Sequence, residues 1–131
     1  KILLETCDAL VPLHANGFIH RDVKPENIMI TKDGTVKLID FNASREFSLS
    51  STRDTVQIGT IGYASPEQLG IAQTDARTDI YALGVLLNVM LTGKHPSIKL
   101  ADGRAGKIVL KCTQIDPSSR FSSVEKLASE L

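Results

Sequence analysis

The sequence predicts a mainly α-helical fold with one small antiparallel β-hairpin. Three observations support this: a helical apolar pattern over residues 1–16, a second over 78–91, and two short strand-like runs on either side of Asp33-Gly34. At 131 residues, the chain is long enough to bury one core. We therefore expect a single small domain built mostly from helices.

The two long helices have different patterns. Residues 1–16 carry apolar side chains on one broad face, and Asn16-Gly17 is a plausible end for that helix. Residues 78–91 are apolar on almost all sides, which predicts a core helix that ends at Thr92-Gly93. This stretch is too short to span a bilayer, and Asn88 interrupts it.

Shorter elements are expected near the end of the chain. Residues 97–104 are polar and predict a loop with irregular helix, followed by a short amphipathic helix over 108–115. Ser122 and Glu125 have the spacing of a capping box, so the last helix is expected to begin after Ser122.

The hairpin is predicted from residues 28–31 and 35–39, which have strand composition. Asp33-Gly34 is a favoured two-residue turn, and such a turn would place Asn27 opposite Asp40, with Cβ atoms about 5 Å apart. An amide oxygen and a carboxylate at that spacing predict a magnesium site. The expectation depends on the turn containing two residues, because one more would shift the register.

The loop from His20 to Asn27 contains the most chemically suggestive residues. Asp22 can accept a proton, Lys24 can neutralise an anion, and Asn27 can offer an oxygen to a hard cation. Pro25 restricts its own backbone and that of the residue before it, which predicts a stiff loop.

These residues resemble the C-terminal lobe of a eukaryotic-type (Hanks-type) Ser/Thr protein kinase. His20-Arg21-Asp22, with Lys24 and Asn27, matches the family's catalytic loop, and Asp40-Phe41-Asn42 stands where the family has Asp-Phe-Gly. Three further motifs follow in family order: Gly59 to Glu67, Asp79 to Gly84, and Asp116 to Arg120. The resemblance covers nearly the whole chain and implies a mainly α C-lobe, part of the α+β protein-kinase-like fold.

The resemblance implies a role for each matching residue. Asp22 would accept the proton of the substrate hydroxyl, Lys24 would stabilise the transferring phosphate, and Thr60 would contact both while placing the hydroxyl. Asn27 and Asp40 would hold Mg²⁺, and Met29 would lie under the adenine of ATP. The expected ATP-binding residues are Lys24, Glu26, Asn27, Met29 and Asp40.

Other matching residues are expected to support the site. His20 would pack beneath the Asp-Phe segment, and Asp79 would bind backbone amides of the catalytic loop, although Asp79 alone also fits a plain helix cap. Glu67 is expected to pair with Arg120. His14, near the polar end of the first helix, is expected to have a helix-terminal role.

The chain divides by resemblance into a catalytic loop (20–27), a metal-binding motif (40–42), an activation segment (40–67) and the core helix (about 78–91). Arg21 is typical of kinases whose activation segment is ordered by phosphorylation, with Arg45 or Arg53 as added positive charge. The candidate phosphorylation sites are Ser48, Ser50, Ser51, Thr52 and Thr55. Asn42 stands where the family has Gly, whose backbone freedom helps the activation segment change conformation. The substitution is therefore expected to affect that change more than metal binding.

The resemblance implies that the parent protein transfers the γ-phosphate of ATP to a Ser or Thr of a protein substrate. The chain lacks the motifs of the N-lobe, which would complete the ATP site, so residues 1–131 alone are expected to be inactive. A pseudokinase-type scaffold or binding module is the alternative, and loss of a catalytic residue would have favoured it.

Composition gives information about the binding partners and the redox compartment of the protein. Lys plus Arg equals Asp plus Glu at 15 each, which gives no net field for nucleic acid or an anionic membrane. Cys7 and Cys112 have no metal-type spacing, so a reducing cytoplasmic setting is expected, compatible with a membrane tether elsewhere in the parent. The chain begins and ends inside helical patterns, which indicates a piece of a longer protein.

Overall fold

A computed structural model describes residues 1–41, 44–46, 62–70 and 73–131, with the backbone alone for Arg45 and Glu46. The described residues form five α-helices, four short strands and two 3-10 turns, at Pro25–Asn27 and Pro117–Ser119. The helices and strands in chain order are α1 (Ile2–Ala15), β1 (Phe18–Ile19), β2 (Ile28–Ile30), β3 (Val36–Leu38), β4 (Arg45–Glu46), α2 (Pro66–Leu69), α3 (Ala76–Thr92), α4 (Gly103–Cys112) and α5 (Val124–Ala128). The mainly helical prediction is confirmed for this part of the chain.

Helix α3 lies at the centre of the core. Asp75 caps its N-terminus by accepting from the Arg77 N–H at 2.8 Å, and Gly93 ends it in the left-handed conformation at φ 69°. Helices α1, α4 and α5 all contact it. The apolar side chains of all four helices share one buried cluster. The predicted core helix therefore extends by two residues at its start and by one at its end.

The two cysteines belong to this cluster. Cys7 and Cys112 are free and fully buried. Burial raises the pKa of each thiol to about 12, so both stay protonated at neutral pH.

The helices after α3 differ from the sequence prediction in their limits. Helix α4 begins at Gly103, inside the expected loop, and ends at Cys112, before the expected end at residue 115. Gly103 has φ 62°, a conformation that glycine adopts readily. The cap of α5 is Ser123, whose hydroxyl accepts from the Lys126 N–H at 3.3 Å, so the predicted capping box at Ser122 is wrong by one residue.

The β2–β3 hairpin forms, but its predicted register is wrong. Ile28 pairs with Leu38 and Ile30 with Val36, one residue out of the expected alignment. The turn contains three residues, because Gly34 adopts the left-handed conformation (φ 84°) and the Asp33 carboxylate accepts hydrogen bonds from two flanking threonine hydroxyls. The partner of Asn27 is consequently Ile39, whose N–H donates to the Asn27 carbonyl at 2.9 Å.

A second antiparallel pair, β1 with β4, was not predicted. Phe18 pairs with Glu46 and Ile19 with Arg45, so the chain beyond Phe41 returns to the strand that leads into the catalytic loop. Two-residue strands carry too little alternation to be visible in a sequence. Within the described ranges, no helix combines the length and apolar character needed to cross a bilayer.

Candidate active site

The backbone entering the catalytic loop is held by one buried carboxylate. Asp79, in the first turn of α3, accepts hydrogen bonds from the His20 N–H at 2.9 Å and the Arg21 N–H at 2.8 Å. His14 contacts the same carboxylate through Nε2 at 2.7 Å. We call Asp79 with the His20 and Arg21 amides the Asp79 clamp. It confirms the expected contact with the loop, and the plain-cap alternative fails because Asp75 is the cap.

His20 is a fully buried structural residue. Its Nδ1 accepts from the Asp22 N–H at 3.2 Å, which leaves Nε2 to carry the proton and donate to the Ile39 carbonyl at 3.1 Å. The ring also packs edge-on against Phe41, with the ring centroids 5.0 Å apart. His20 thus links the catalytic loop to the end of the hairpin, as expected.

The side chains of Asp22, Lys24 and Asn27, which the sequence places in one short loop, contact one another. Lys24 Nζ lies 3.2 Å from Asp22 Oδ2, and Asn27 Nδ2 donates to the same oxygen at 3.0 Å and to the Asp22 carbonyl at 2.8 Å. The Asp22 side chain is 15% exposed and that of Lys24 is 21% exposed, so the carboxylate is oriented by its neighbours yet open to a reactant. The arrangement can accept a proton beside a fixed positive charge.

Asn27 and Asp40 are not directly opposed, contrary to the sequence prediction. The three-residue turn pairs Asn27 with Ile39, and Asp40 lies one residue further on, exposed, at φ 61°. The bonds from Asn27 to Asp22 use Nδ2, so Oδ1 is the atom suited to a hard cation. Oxygen donors from an amide and a carboxylate fit Mg²⁺ in kind.

Of the residues expected to bind the nucleotide, Glu26, Met29 and Asp40 are exposed, whereas Asn27 is buried. Met29 is 45% exposed in the middle of β2, Ile39 is 36% exposed and Phe41 is 51% exposed. Glu26 lies in the 3-10 turn. Partial burial raises the pKa of Tyr63, and the negative charge of Glu26 adds to that shift. This apolar surface beside the loop could accept a flat aromatic ring.

Several predicted residues lie outside the described part of the chain. They are Thr60, Asn42, Arg53 and the candidate phosphorylation sites Ser48, Ser50, Ser51, Thr52 and Thr55. The side chain of Arg45 is likewise outside the description.

The end of the expected activation segment is anchored by a buried ion pair. Arg120 donates to Glu67 through Nη1 at 2.6 Å and Nη2 at 2.9 Å, which confirms the predicted bidentate pair. Burial alone would raise the pKa of Glu67, but hydrogen bonds and charge from Arg120 outweigh it and lower that pKa below the ordinary value. Thr78 also donates to Glu67 at 3.1 Å, which ties α2 to α3.

Sequence reasoning missed Gln68. Gln68 is 3% exposed, and its side-chain amide donates to the carbonyl of Arg21, the residue before Asp22, at 2.8 Å. The available signal was the spacing Ser65-x-x-Gln68 with Pro66 at the first helical position, which is typical of a capped helix start. That signal indicates the cap and does not indicate the second contact.

Fold and site together are those of a protein kinase. The family described as protein kinase domain matches residues 1–131, and the chain belongs to this family. It is 47% identical over 126 residues to serine/threonine-protein kinase PknB of Mycobacterium leprae (strain TN), covering 95% of this chain and 20% of that protein.

Other relatives carry similar names. The chain is 48% identical over 99 residues to the probable serine/threonine-protein kinase PknB of Corynebacterium glutamicum, covering 73% of this chain and 15% of that protein. It is 45% identical over 96 residues to serine/threonine-protein kinase PknL of Mycobacterium tuberculosis (strain CDC 1551 / Oshkosh), covering 72% and 24%. The chain therefore spans about a fifth of the length of these curated relatives.

Proposed function

We propose that this chain is the C-terminal lobe of a Ser/Thr protein kinase whose full-length parent transfers the γ-phosphate of ATP to a protein Ser or Thr hydroxyl. The observation that carries the proposal is the Asp22, Lys24 and Asn27 cluster, with its backbone fixed by the Asp79 clamp. The names of the relatives support a Ser/Thr kinase.

In this proposal Asp22 orients the substrate hydroxyl and accepts its proton. Lys24, now 3.2 Å from Asp22, neutralises charge on the phosphate oxygens as they approach. Thr60 places the hydroxyl beside these two residues. Fixing the loop beforehand lowers the barrier because the acceptor does not have to reorganise during the reaction.

Asn27 Oδ1 and the Asp40 carboxylate would hold Mg²⁺, which when bound neutralises charge on the phosphates. Lys24 and Glu26 would lie on the nucleotide side of the loop, and Met29 would form the floor beneath the adenine. The exposure of Met29, Ile39 and Phe41 supports a surface that ATP and the N-lobe of the parent cover.

The divisions predicted from the sequence belong to the same proposal. They are the catalytic loop at 20–27, the metal-binding motif at 40–42, the activation segment at 40–67 and the core helix. A protein substrate and ATP with magnesium are the proposed partners, and a cytoplasmic site of action is proposed for this lobe.

The test uses the full-length parent with labelled ATP, with and without Mg²⁺. We expect magnesium-dependent transfer to Ser or Thr of a protein acceptor, and a magnesium-dependent shift of melting temperature with nucleotide. The variant Asp40→Ala should lose that shift, whereas Asp8→Ala, on the exposed side of α1, should retain it. A parent with neither transfer nor nucleotide binding in Mg²⁺ or Mn²⁺ would instead be a scaffold of the pseudokinase type.

A further inference from the structure

Gln68, at the third position of α2, uses its whole side-chain amide in buried hydrogen bonds. Its Oε1 accepts from the Ser65 N–H at 3.1 Å and lies 3.3 Å from the Ser65 hydroxyl. Its Nε2 donates to the Arg21 carbonyl at 2.8 Å. The side chain therefore bridges the start of α2 and the catalytic loop.

The chemistry of the partners fixes the orientation of this amide. A backbone N–H can only donate, so Ser65 N must face Oε1, and a carbonyl can only accept, so Arg21 O must face Nε2. A flipped amide would lose both bonds and set like groups against each other. Gln68 thus presents a defined donor to Arg21.

The Arg21 carbonyl belongs to the peptide unit that leads directly into Asp22. Arg21 has φ 68°, a left-handed conformation that is unfavourable for a residue with a Cβ atom and persists only where the surroundings enforce it. Gln68 holds the oxygen of that peptide unit, and His20 Nδ1 accepts from its N–H at 3.2 Å. Both polar edges of the peptide before Asp22 are therefore fixed.

The support behind Gln68 is rigid. Its neighbour Glu67 is paired with Arg120, whose side chain also donates to the carbonyls of Arg77 at 3.0 Å, Gln114 at 2.8 Å and Ile115 at 3.2 Å. Helix α2 is consequently anchored to the helical body on one side and reaches the catalytic loop on the other.

We propose that Gln68 is a positioning residue for phosphate transfer, acting through the Arg21 carbonyl to set the direction of the Asp22 carboxylate. The inference rests on the proposed function, in which Asp22 is the proton acceptor. It adds a contact from α2, which begins at the end of the expected activation segment, to the contacts that the Asp79 clamp makes from α3. Loss of the donor lowers kcat and leaves the binding of ATP with magnesium nearly unchanged.

The first test is Gln68→Glu in the full-length parent. The carboxylate has the same shape and keeps an acceptor for Ser65, but it turns an oxygen towards the Arg21 carbonyl. We expect kcat to fall roughly 10- to 100-fold at pH 7.5 with the KM for ATP within about twofold of wild type.

The pH profile gives a readout that a purely structural role would not produce. Protonation returns a donor to this position, and burial raises the pKa of a carboxyl there. The ratio of variant to wild-type kcat should therefore rise as the pH falls from about 8 towards 5.5. Melting temperatures at each pH establish that both proteins are folded during the assay.

A second variant, measured by hydrogen exchange, tests the inference without an activity assay, and a control variant tests whether the effect is specific to this position. Gln68→Met fills a similar volume without a donor, and it should increase amide hydrogen exchange in peptides covering residues 20–24. Gln114→Glu makes the same chemical change on an exposed side chain whose amide donates to the Leu110 carbonyl. This control should leave kcat, its pH profile and the exchange unchanged.

The outcomes separate the two proposals. A wild-type parent without phosphate transfer overturns the proposed function, and the exchange measurement then still decides whether Gln68 orders the loop. Folded Gln68→Glu and Gln68→Met proteins with wild-type kcat and wild-type exchange at residues 20–24 overturn the inference alone.

Discussion

The catalytic loop and the open end of the hairpin are neighbours, but they are supported very differently. The backbone around Asp22 is fixed by buried bonds from Asp79, His20 and Gln68. At the hairpin, Met29 and Phe41 leave about half of their surface to solvent. The described residues thus hold the backbone around Asp22 closely and leave the hairpin surface around Met29 open.

In the proposed function, this difference separates the residues that position Asp22 from those that bind ATP. The geometry of the acceptor is contained in α1, α3 and α2, all of which lie within this chain. The proposed nucleotide site would be completed by the N-lobe of the parent. Changes in the first region should therefore affect kcat and stability, and changes in the second should affect the binding of ATP.

The largest expected effect is removal of the rest of the parent. Residues 1–131 alone should transfer phosphate at least about 10⁵-fold more slowly than the parent, because in the proposed function the N-lobe of the parent helps to orient the reactants. Side-by-side assays at equal concentration measure this. Robust turnover by the isolated chain would refute the claim that the rest of the parent is needed for phosphate transfer.

A large effect on stability is expected at the Glu67–Arg120 pair. Glu67→Gln leaves Arg120 buried without its counter-charge and should lower the free energy of unfolding of the parent's kinase domain by about 3 kcal/mol at pH 7. Urea denaturation measures it. Glu130→Gln breaks an exposed ion pair with Arg104 and, as the control, should change stability by less than about 0.5 kcal/mol.

The same pair predicts a dependence on pH. The pKa of Glu67 is lowered in the folded state, so its stabilising contribution is complete above the unfolded pKa of about 4.3 and is lost as the pH falls through the lower folded value. The difference between wild type and Glu67→Gln should shrink below about pH 4. A difference that stays constant from pH 7 to pH 3 would contradict the assigned charge state.

An intermediate effect is expected at the Asp79 clamp. Asp79→Asn keeps the shape but turns an amide donor towards a backbone or imidazole donor, and should lower kcat roughly 10- to 100-fold. Steady-state kinetics on the parent provide the measurement. Asp75→Asn, which retains the cap of the same helix, should stay within about twofold of wild type; equal losses in both variants would mean that the helix and not the clamp is responsible.

The smallest effect is expected at Met29, on the exposed surface of the hairpin. Met29→Ala should raise the KM for ATP roughly 3- to 10-fold while lowering the stability by less than about 1 kcal/mol, because the side chain is 45% exposed. Met90 is also 45% exposed, on α3, and Met90→Ala should leave the KM for ATP unchanged. If both substitutions act alike on ATP, Met29 is not part of the nucleotide surface.

The sequence predicted the parts of this account that depend on strong local patterns. The two long helices follow from apolar periodicity, and the contacts of Asp79 and Arg120 followed from the resemblance to kinases. The sequence singled out Asp22, Lys24 and Asn27 as the reactive groups of one short loop, but it did not predict the contacts among them.

The errors came from interactions that composition does not specify. Asp33-Gly34 is compatible with both two-residue and three-residue turns. In the three-residue turn that forms, the hydroxyls of Thr31 and Thr35 donate to the Asp33 carboxylate. That single residue moved the partner of Asn27 from Asp40 to Ile39. The contact of Gln68 with Arg21 spans 47 positions and depends on a tertiary approach that no periodicity reports.

Substitution of Asp22 by Asn in the full-length parent tests the central claim most directly. The asparagine amide keeps the shape of the carboxylate but accepts a proton poorly. Phosphate transfer should therefore fall about 10²- to 10⁴-fold, with ATP binding retained. Asp102→Asn, at an exposed carboxylate without a capping bond, is the matched control and should retain full activity. Unchanged phosphate transfer by folded Asp22→Asn would contradict the assignment of this carboxylate as the proton acceptor.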